Sequence, residues 1–288
     1  MFSVSSMTAS LKKVALLQPN NCLKDADPNE WHYGSTFDPE KVEGIHASFV
    51  KLLEAHGIEI YWIEDQNSKI ADAVFTYDAS LMTKFGAILM SPGKLLRSGE
   101  QDLHKIFYNS HDIPIIGSIS DLARAEAGDT LWLDETTLVV GRGFRTNQLG
   151  VEQIKDILEP RGINVFSYDL PFYTGAAACL HLMSLISLVD TKAALVALPL
   201  LPVGFYELLT SKGFQLIEAP MLEFEQSNTL STNVLAVSPG NCVMLSGLPQ
   251  TTEKLRKSGI KVQLFDGDAL CVGCEGGPTC LTRPLYRV

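Results

Sequence analysis

Five times along this 288-residue chain a helix-patterned stretch runs into a glycine or aspartate and then into an apolar strand. The segments are AHGIEIYWI, SHDIPIIGSI, PRGINVFSY, SKGFQLIEA and KSGIKVQLF. Their break residues are Gly57, Asp112, Gly162, Gly213 and Gly259, spaced by 55, 50, 51 and 46 positions. A period of this length marks an architecture made by repeating one supersecondary unit. It predicts a closed α/β object whose active site lies where the copies converge.

Paired strand segments precede the helices. They read AVFTYDASLM then AILMSPG, DTLWLD then TLVVGRG, and NVLAVSPGN then CVMLSG, each pair joined by turn residues. With LKKVALLQP at the front, the chain reads as five copies of a strand, strand, helix, strand module. The helix in PEKVEGIHASFVKLLEAHG sets Val42, Ile45, Phe49, Leu52 and Leu53 on one stripe that must pack on a sheet. A module of about 50 residues is marginal alone, so each needs its neighbours. With 46% apolar content and no linker-like segment, residues 11–288 are expected to form one domain behind a loose tail at 1–10.

Charge narrows the partners. Lysine and arginine number 23 against 33 acidic residues, a net charge of −10, and no basic stripe extends beyond Lys12 and Lys13. Nucleic acid is therefore not expected, whereas the approach of a cationic small molecule is favoured. The stretch from Leu170 to Val189 is uncharged and long enough to span a bilayer, but Pro171, Gly175 and His181 within it indicate buried strand and loop, not a membrane segment. No signal-peptide pattern follows the N-terminal lysines. A cytoplasmic protein with six reduced cysteines is the expectation.

The candidate chemistry is scattered. Cys280, in GCEGGPTCLTRPLYRV, follows two glycines and a proline; it is a nucleophile, a metal ligand or a buried small hydrophobe. Cys271, Cys274 and Cys280 form a C-x2-C-x5-C pattern, but structural zinc wants four ligands and the fourth would have to be a distant His181 or Cys242. Glu126 and Asp129 lie in AEAGDTLWL, His181 in ACLHLMSL, and Asp72 and Asp78 in ADAVFTYD. Taken singly these read equally well as a turn, a core histidine and capping aspartates.

Taken in order, DAVFTYD, AILMSPGKLLRSGE, EAGD with GRGFRTNQLG, LHL, NVL and GGPTC resemble the guanidine-modifying superfamily, which includes dimethylarginine dimethylaminohydrolase, arginine deiminase and the amidinotransferases. The resemblance is closest to the dimethylargininase branch, while EGGPTCLTRPL around the cysteine is more similar to deiminases and amidinotransferases. It implies a five-bladed α/β propeller, the pentein fold, of repeated ββαβ modules. Cys280 would be the nucleophile, His181 the general acid and base, and Glu126 the carboxylate paired with His181 or the substrate. Asp72 and Asp78 would hold the guanidinium, and Arg97 and Arg145 the substrate's carboxylate.

The implied reaction is hydrolysis of a C–N bond of arginine or an N-methylated arginine through a covalent thiouronium, giving citrulline plus ammonia or an amine. It requires no cofactor and no metal, and leaves a homodimer open. An amidinotransferase, a citrulline-directed hydrolase and a non-catalytic ring-fold ribosome-binding protein are the alternatives. Tyr77 stands where the dimethylargininase branch has a glutamate, so a phenol replaces an acceptor of guanidinium donors. Cys274 and Glu275 fall where the family offers acceptors. Residues 18–34 look like a lid, with Asn20, Asn21, Trp31 and His32 as candidate contacts.

Overall fold

All five break residues stand at positive φ: Gly57 at 71°, Asp112 at 52°, Gly162 at 78°, Gly213 at 74° and Gly259 at 84°. Each ends a helix in the left-handed conformation and turns the chain into the next strand, the role that favours glycine at four of the five. The computed structural model describes residues 1–65, 69–176 and 180–288. The middle of the Leu170–Val189 stretch, with Cys179, lies outside the described residues.

The strands follow in chain order: β1 (Leu11–Leu16) and β2 (Glu59–Trp62); β3 (Ser80–Thr83), β4 (Gly86–Leu89) and β5 (Ile115–Ser118); β6 (Thr130–Asp134), β7 (Thr137–Arg142) and β8 (Asn164–Asp169). Then come β9 (Ile186–Asp190), β10 (Ala193–Val196) and β11 (Gln215–Glu218); β12 (Leu235–Ser238), β13 (Asn241–Leu245) and β14 (Lys261–Phe265); and last β15 (Arg283–Arg287). They form five three-stranded sheets, β3-β4-β5, β6-β7-β8, β9-β10-β11, β12-β13-β14 and β15-β1-β2. In every sheet the first pair is antiparallel and the second parallel. A parallel neighbour needs a crossover, supplied by the helices Val42–Ala55, Glu100–Ser110, Gln148–Leu158, Val203–Ser211 and Pro249–Lys257.

Two readings of the sequence are corrected here. LKKVALLQP is not the first strand of its module but the second, because β15 from the far end of the chain pairs with β1. AVFTYDASLM is a strand only at its end: Ala71–Val74 is a 3-10 turn and β3 begins at Ser80. The same device recurs, with short helical turns at Ala127–Asp129 before β6, Leu182–Leu185 before β9 and Leu230–Thr232 before β12. These turns contain or adjoin Asp72, Glu126, Asp129, His181 and Asn233.

The core follows from burial. The inner pair β3 and β4 is buried along its whole length, whereas the outer strands β2, β5 and β14 are largely accessible. On the first crossover helix the buried face is Val42, His46, Phe49 and Leu53, with Ile45 and Leu52 half-buried beside it. Burying a side chain such as Phe49 is worth about 1.5–3 kcal/mol. Residues 1–10 are docked and not loose: Ser3 exchanges backbone hydrogen bonds with Leu285 and Arg287, Ser10 with Val288, and Val4 is buried. None of the described helices is long and apolar enough to cross a membrane.

Candidate active site

The turns ahead of β3, β9 and β15 present residues to a shared cavity of about 330 Å³, and those ahead of β6 and β12 stand behind its wall. Asp72 and Asp78 come before β3, His181 before β9 and Cys280 before β15; Glu126 comes before β6 and Asn233 before β12. Six of the seven residues expected from the sequence line the cavity: Asp72, Asp78, Arg97, Arg145, His181 and Cys280. Glu126 is fully buried behind them.

Glu126 organises one wall. Its Oε2 accepts from His181 Nε2 at 2.7 Å and lies 2.9 Å from Arg145 Nη2, while Oε1 accepts from Arg145 Nε at 3.0 Å and from the Gly93 amide at 2.8 Å. Burial resists its charge, yet Arg145, the His181 hydrogen bond and Arg97 together hold its carboxyl well below the usual range. His181 is placed from below by its neighbours in sequence. Its amide donates to Ser184 Oγ at 3.1 Å, and the next amide, Leu182, donates to Asp129 Oδ1 at 2.9 Å. Asp129 Oδ2 is buried without a partner, and burial pushes this carboxyl up to about 6.

Gly128 is dictated by the same contact. A Cβ there would come within 2.7 Å of both Asp78 Oδ1 and His181 Nδ1. The bare backbone instead donates its N–H to Asp78 Oδ1 at 2.8 Å. Asp78 Oδ2 takes Arg97 Nη1 at 2.6 Å.

Arg97 does not present an open fork. Its Nε and Nη2 reach the two oxygens of Glu100 at 2.8 Å each, and Nη2 also reaches the Phe75 carbonyl at 3.2 Å, with the side chain almost fully buried. The RSGE spacing explains this choice, because the i, i+3 glutamate at the start of the Glu100–Ser110 helix lies within bidentate reach.

Lys94 is the cation that the sequence reading passed over, although it sits inside the quoted GKLLRSGE. Its Nζ donates to Asp72 Oδ2 at 2.7 Å and to the Trp31 carbonyl at 3.2 Å, 5.1 Å above the Trp31 ring. The other oxygen of Asp72 accepts from Tyr33 Oη at 2.7 Å. Trp31 and His32 line the cavity as a lid would, but Asn20 caps the helix Asn21–Lys24 and donates to Asp65, and Asn21 is exposed.

Cys280 is half-buried, and Asn233 Nδ2 donates to its Sγ at 3.1 Å. Asn233 is itself held by the Thr279 amide, 3.0 Å from Oδ1. Gly277 passes so close that a Cβ would lie 2.4 Å from Asn233 Cγ. Asn233 had entered the sequence reading only as the start of a strand.

Tyr77 faces away from the cavity. Its ring lies under the Arg283 guanidinium, 4.2 Å from Cζ, and its hydroxyl approaches Met7 Sδ at 3.9 Å. Cys271 is fully buried and Cys274 lines the cavity near Asp72; burial pushes both thiols up. Among the described residues the cysteines form no metal cluster. The group of metal-type ligands that does converge is Asp78, Glu126 and His181, within 4.8 Å, and Arg97 and Arg145 already occupy its carboxylates.

Comparison with known proteins gives a family match and a fold match. The arginine deiminase family profile matches residues 68–201 and 200–287. The uncharacterised protein YkgA of Bacillus subtilis is 25% identical over 281 residues, 96% of this chain and 93% of YkgA. The arginine deiminase of Mycobacterium avium is 26% identical over 248 residues, covering 76% of this chain and 61% of that enzyme. Among solved structures, a cysteine-to-serine variant of the Pseudomonas aeruginosa dimethylarginine dimethylaminohydrolase, complexed with citrulline, superposes with a TM-score of 0.77 at 23% identity, over 95% of this chain and 98% of that one. The mixed α/β fold of small repeated sheets is therefore shared with that enzyme.

Proposed function

The chain belongs to the arginine deiminase family, and on that premise we propose that it hydrolyses a C–N bond of a guanidino amino acid, arginine or an N-methylated arginine, at Cys280. Its five sheets are read as the blades of a five-bladed propeller, a single catalytic domain with residues 1–10 laid against it. One observation carries the reading: His181, held by Glu126, and the Asn233-supported Cys280 thiol line the same cavity as two buried aspartates suited to a guanidinium.

A guanidinium is planar, delocalised and a poor electrophile. Asp72 and Asp78 fix its plane and keep its charge opposite Cys280. The thiolate attacks the central carbon, and His181, protonated and held by Glu126, gives its proton to the departing nitrogen as the C–N bond breaks. A thiouronium remains on Sγ. His181 then takes a proton from water, the hydroxide adds to the same carbon, and the C–S bond breaks to give the free thiolate and, as the new hydroxyl releases its proton to solvent and the freed amine takes one up, citrulline. Arg145 meets the substrate carboxylate; Lys94, paired with Asp72, and Arg97, committed to Glu100 and Asp78, position the two guanidinium-binding aspartates.

Incubation with arginine, monomethylarginine, dimethylarginine and agmatine, followed by assay of citrulline and released amine, tests the reading. Citrulline formation that disappears in Cys280→Ser, with binding of an unreactive guanidine retained, is the expected result; unchanged turnover in Cys280→Ser overturns it. Agmatine lacks the carboxylate and should lose about 2–5 kcal/mol of transition-state binding. Guanidinoacetate formed on adding glycine would replace hydrolysis by amidino transfer.

A further inference from the structure

Behind Cys280 the cavities continue inward. One of about 30 Å³ runs from Asp78, His181 and Cys280 to Tyr77 and Thr279, and another of about 10 Å³ continues from Tyr77 and Thr279 to Trp132, Arg283 and Arg287. The lining of the second is largely apolar, and donors are set into it. Arg283 Nε, Trp132 Nε1 and Thr279 Oγ1 are buried there with no hydrogen-bond partner, on residues only 1%, 2% and 4% exposed. Arg287, 8% exposed, supplies a second guanidinium to the same wall.

Nothing acidic answers them. Arg283 Nη1 donates to the carbonyls of Tyr77 and Ser80, and Arg287 Nη1 to that of Ala9, all neutral groups. Among the described residues neither arginine forms an ion pair, and none of residues 66–68 and 177–179 is acidic. Burial, with Arg283 nearby, pushes Arg287 down to about 10, so its side chain remains cationic at neutral pH. Two charges withdrawn from water without a counter-charge are a standing cost, as are the three orphaned donors.

We propose that this innermost cavity binds one monatomic anion, a halide with chloride as the physiological form, held by Arg283, Arg287, Trp132 and Thr279. Size excludes bulkier anions, since a cavity of about 10 Å³ has no room for a tetrahedral oxyanion. Charge separates it from water. A water molecule could accept from two of the donors but would leave both guanidinium charges uncompensated. The anion would also brace the nucleophile, because Thr279 precedes Cys280 and the Tyr77 amide donates to the Cys280 carbonyl at 3.1 Å.

The test is thermal unfolding of the full chain in chloride, bromide and gluconate at matched ionic strength. A saturable rise in the two halides alone is expected, about 5 °C at a hundredfold excess over half-saturation. Arg287→Met should abolish the increment. Should that variant fail to fold, bromide anomalous diffraction from the unaltered protein decides the matter, with a peak expected between Arg283, Arg287 and Trp132. Equal melting temperatures in all three salts overturn the proposal. So does a bromide peak seen only at molar concentration with no shift in solution, which would mark an adventitious ion only.

Discussion

Two pairs of arginines stand on either side of the Thr279–Cys280 backbone and meet opposite fates. In the large cavity Arg97 and Arg145 are matched by Asp78, Glu100 and Glu126. In the innermost one Arg283 and Arg287 find carbonyls and, for Arg283, the Tyr77 ring, but no carboxylate. The difference separates two uses of buried charge. A self-compensated wall lets an incoming guanidinium and carboxylate exchange partners with groups already present, so no bare charge appears at any stage. An uncompensated wall waits for a partner from outside.

The largest effect should come from breaking the compensated side. Glu126→Gln removes the charge shared by His181 and Arg145, and turnover should fall about 10²–10⁴-fold, with a loss of stability on the order of 3–5 kcal/mol for the uncompensated Arg145. Activity within tenfold of the parent would mean that this pairing does not order the base. Gly128→Ala should cost about 10²-fold in kcat, because its Cβ forces His181 and Asp78 out of position. A melting temperature that falls as far as in a core truncation would assign the glycine to folding instead.

Asp129 sharpens the contrast, being an acid on the catalytic side with one oxygen unmatched. Its folded pKa, about 6, lies above the unfolded value, so the folded state binds more protons between about pH 4 and 6 and stability falls as pH rises through that window. Asp129→Asn keeps the acceptor for Leu182 and cannot ionise. Its stability relative to the parent should therefore climb by about 2–3 kcal/mol from pH 4 to 6 and then level off; parallel denaturation profiles would refute this. The smallest effect is expected at Asn233→Ala, which removes the donor to Cys280 Sγ and should slow iodoacetamide alkylation at fixed pH by about tenfold. An unchanged rate would leave Asn233 as a brace for Thr279 alone.

What was legible in the sequence was whatever repeats. The five breaks, the crossover helices and most of the strands obey local rules of φ, periodicity and turn chemistry, and the resemblance picked out Glu126, His181 and Cys280, the proposed catalytic residues, on turns that the fold brings together. What escaped depends on three-dimensional choice among equivalent donors and acceptors. No pattern in GKLLRSGE says that Arg97 takes Glu100 and Asp78 while Lys94 takes Asp72. Tyr77 looked like a changed contact in the cavity because it adjoins Asp78, yet its ring packs against the Arg283 guanidinium instead. His46 joined the buried stripe of its helix although polarity argued against it. Strand order escaped for a different reason, since β15 pairs with a strand more than 260 residues away and no local signal encodes that partner.

The five left-handed junctions give the molecule its own set of replicates. At Gly57, Gly162, Gly213 and Gly259 an added Cβ would meet nothing within 4 Å, so alanine there is opposed by backbone conformation alone, at roughly 1 kcal/mol each. Asp112 shows that one copy already tolerates a side chain in that conformation. Four substitutions of one chemistry at matched positions would yield an error bar for the intrinsic cost of positive φ, measured within a single protein.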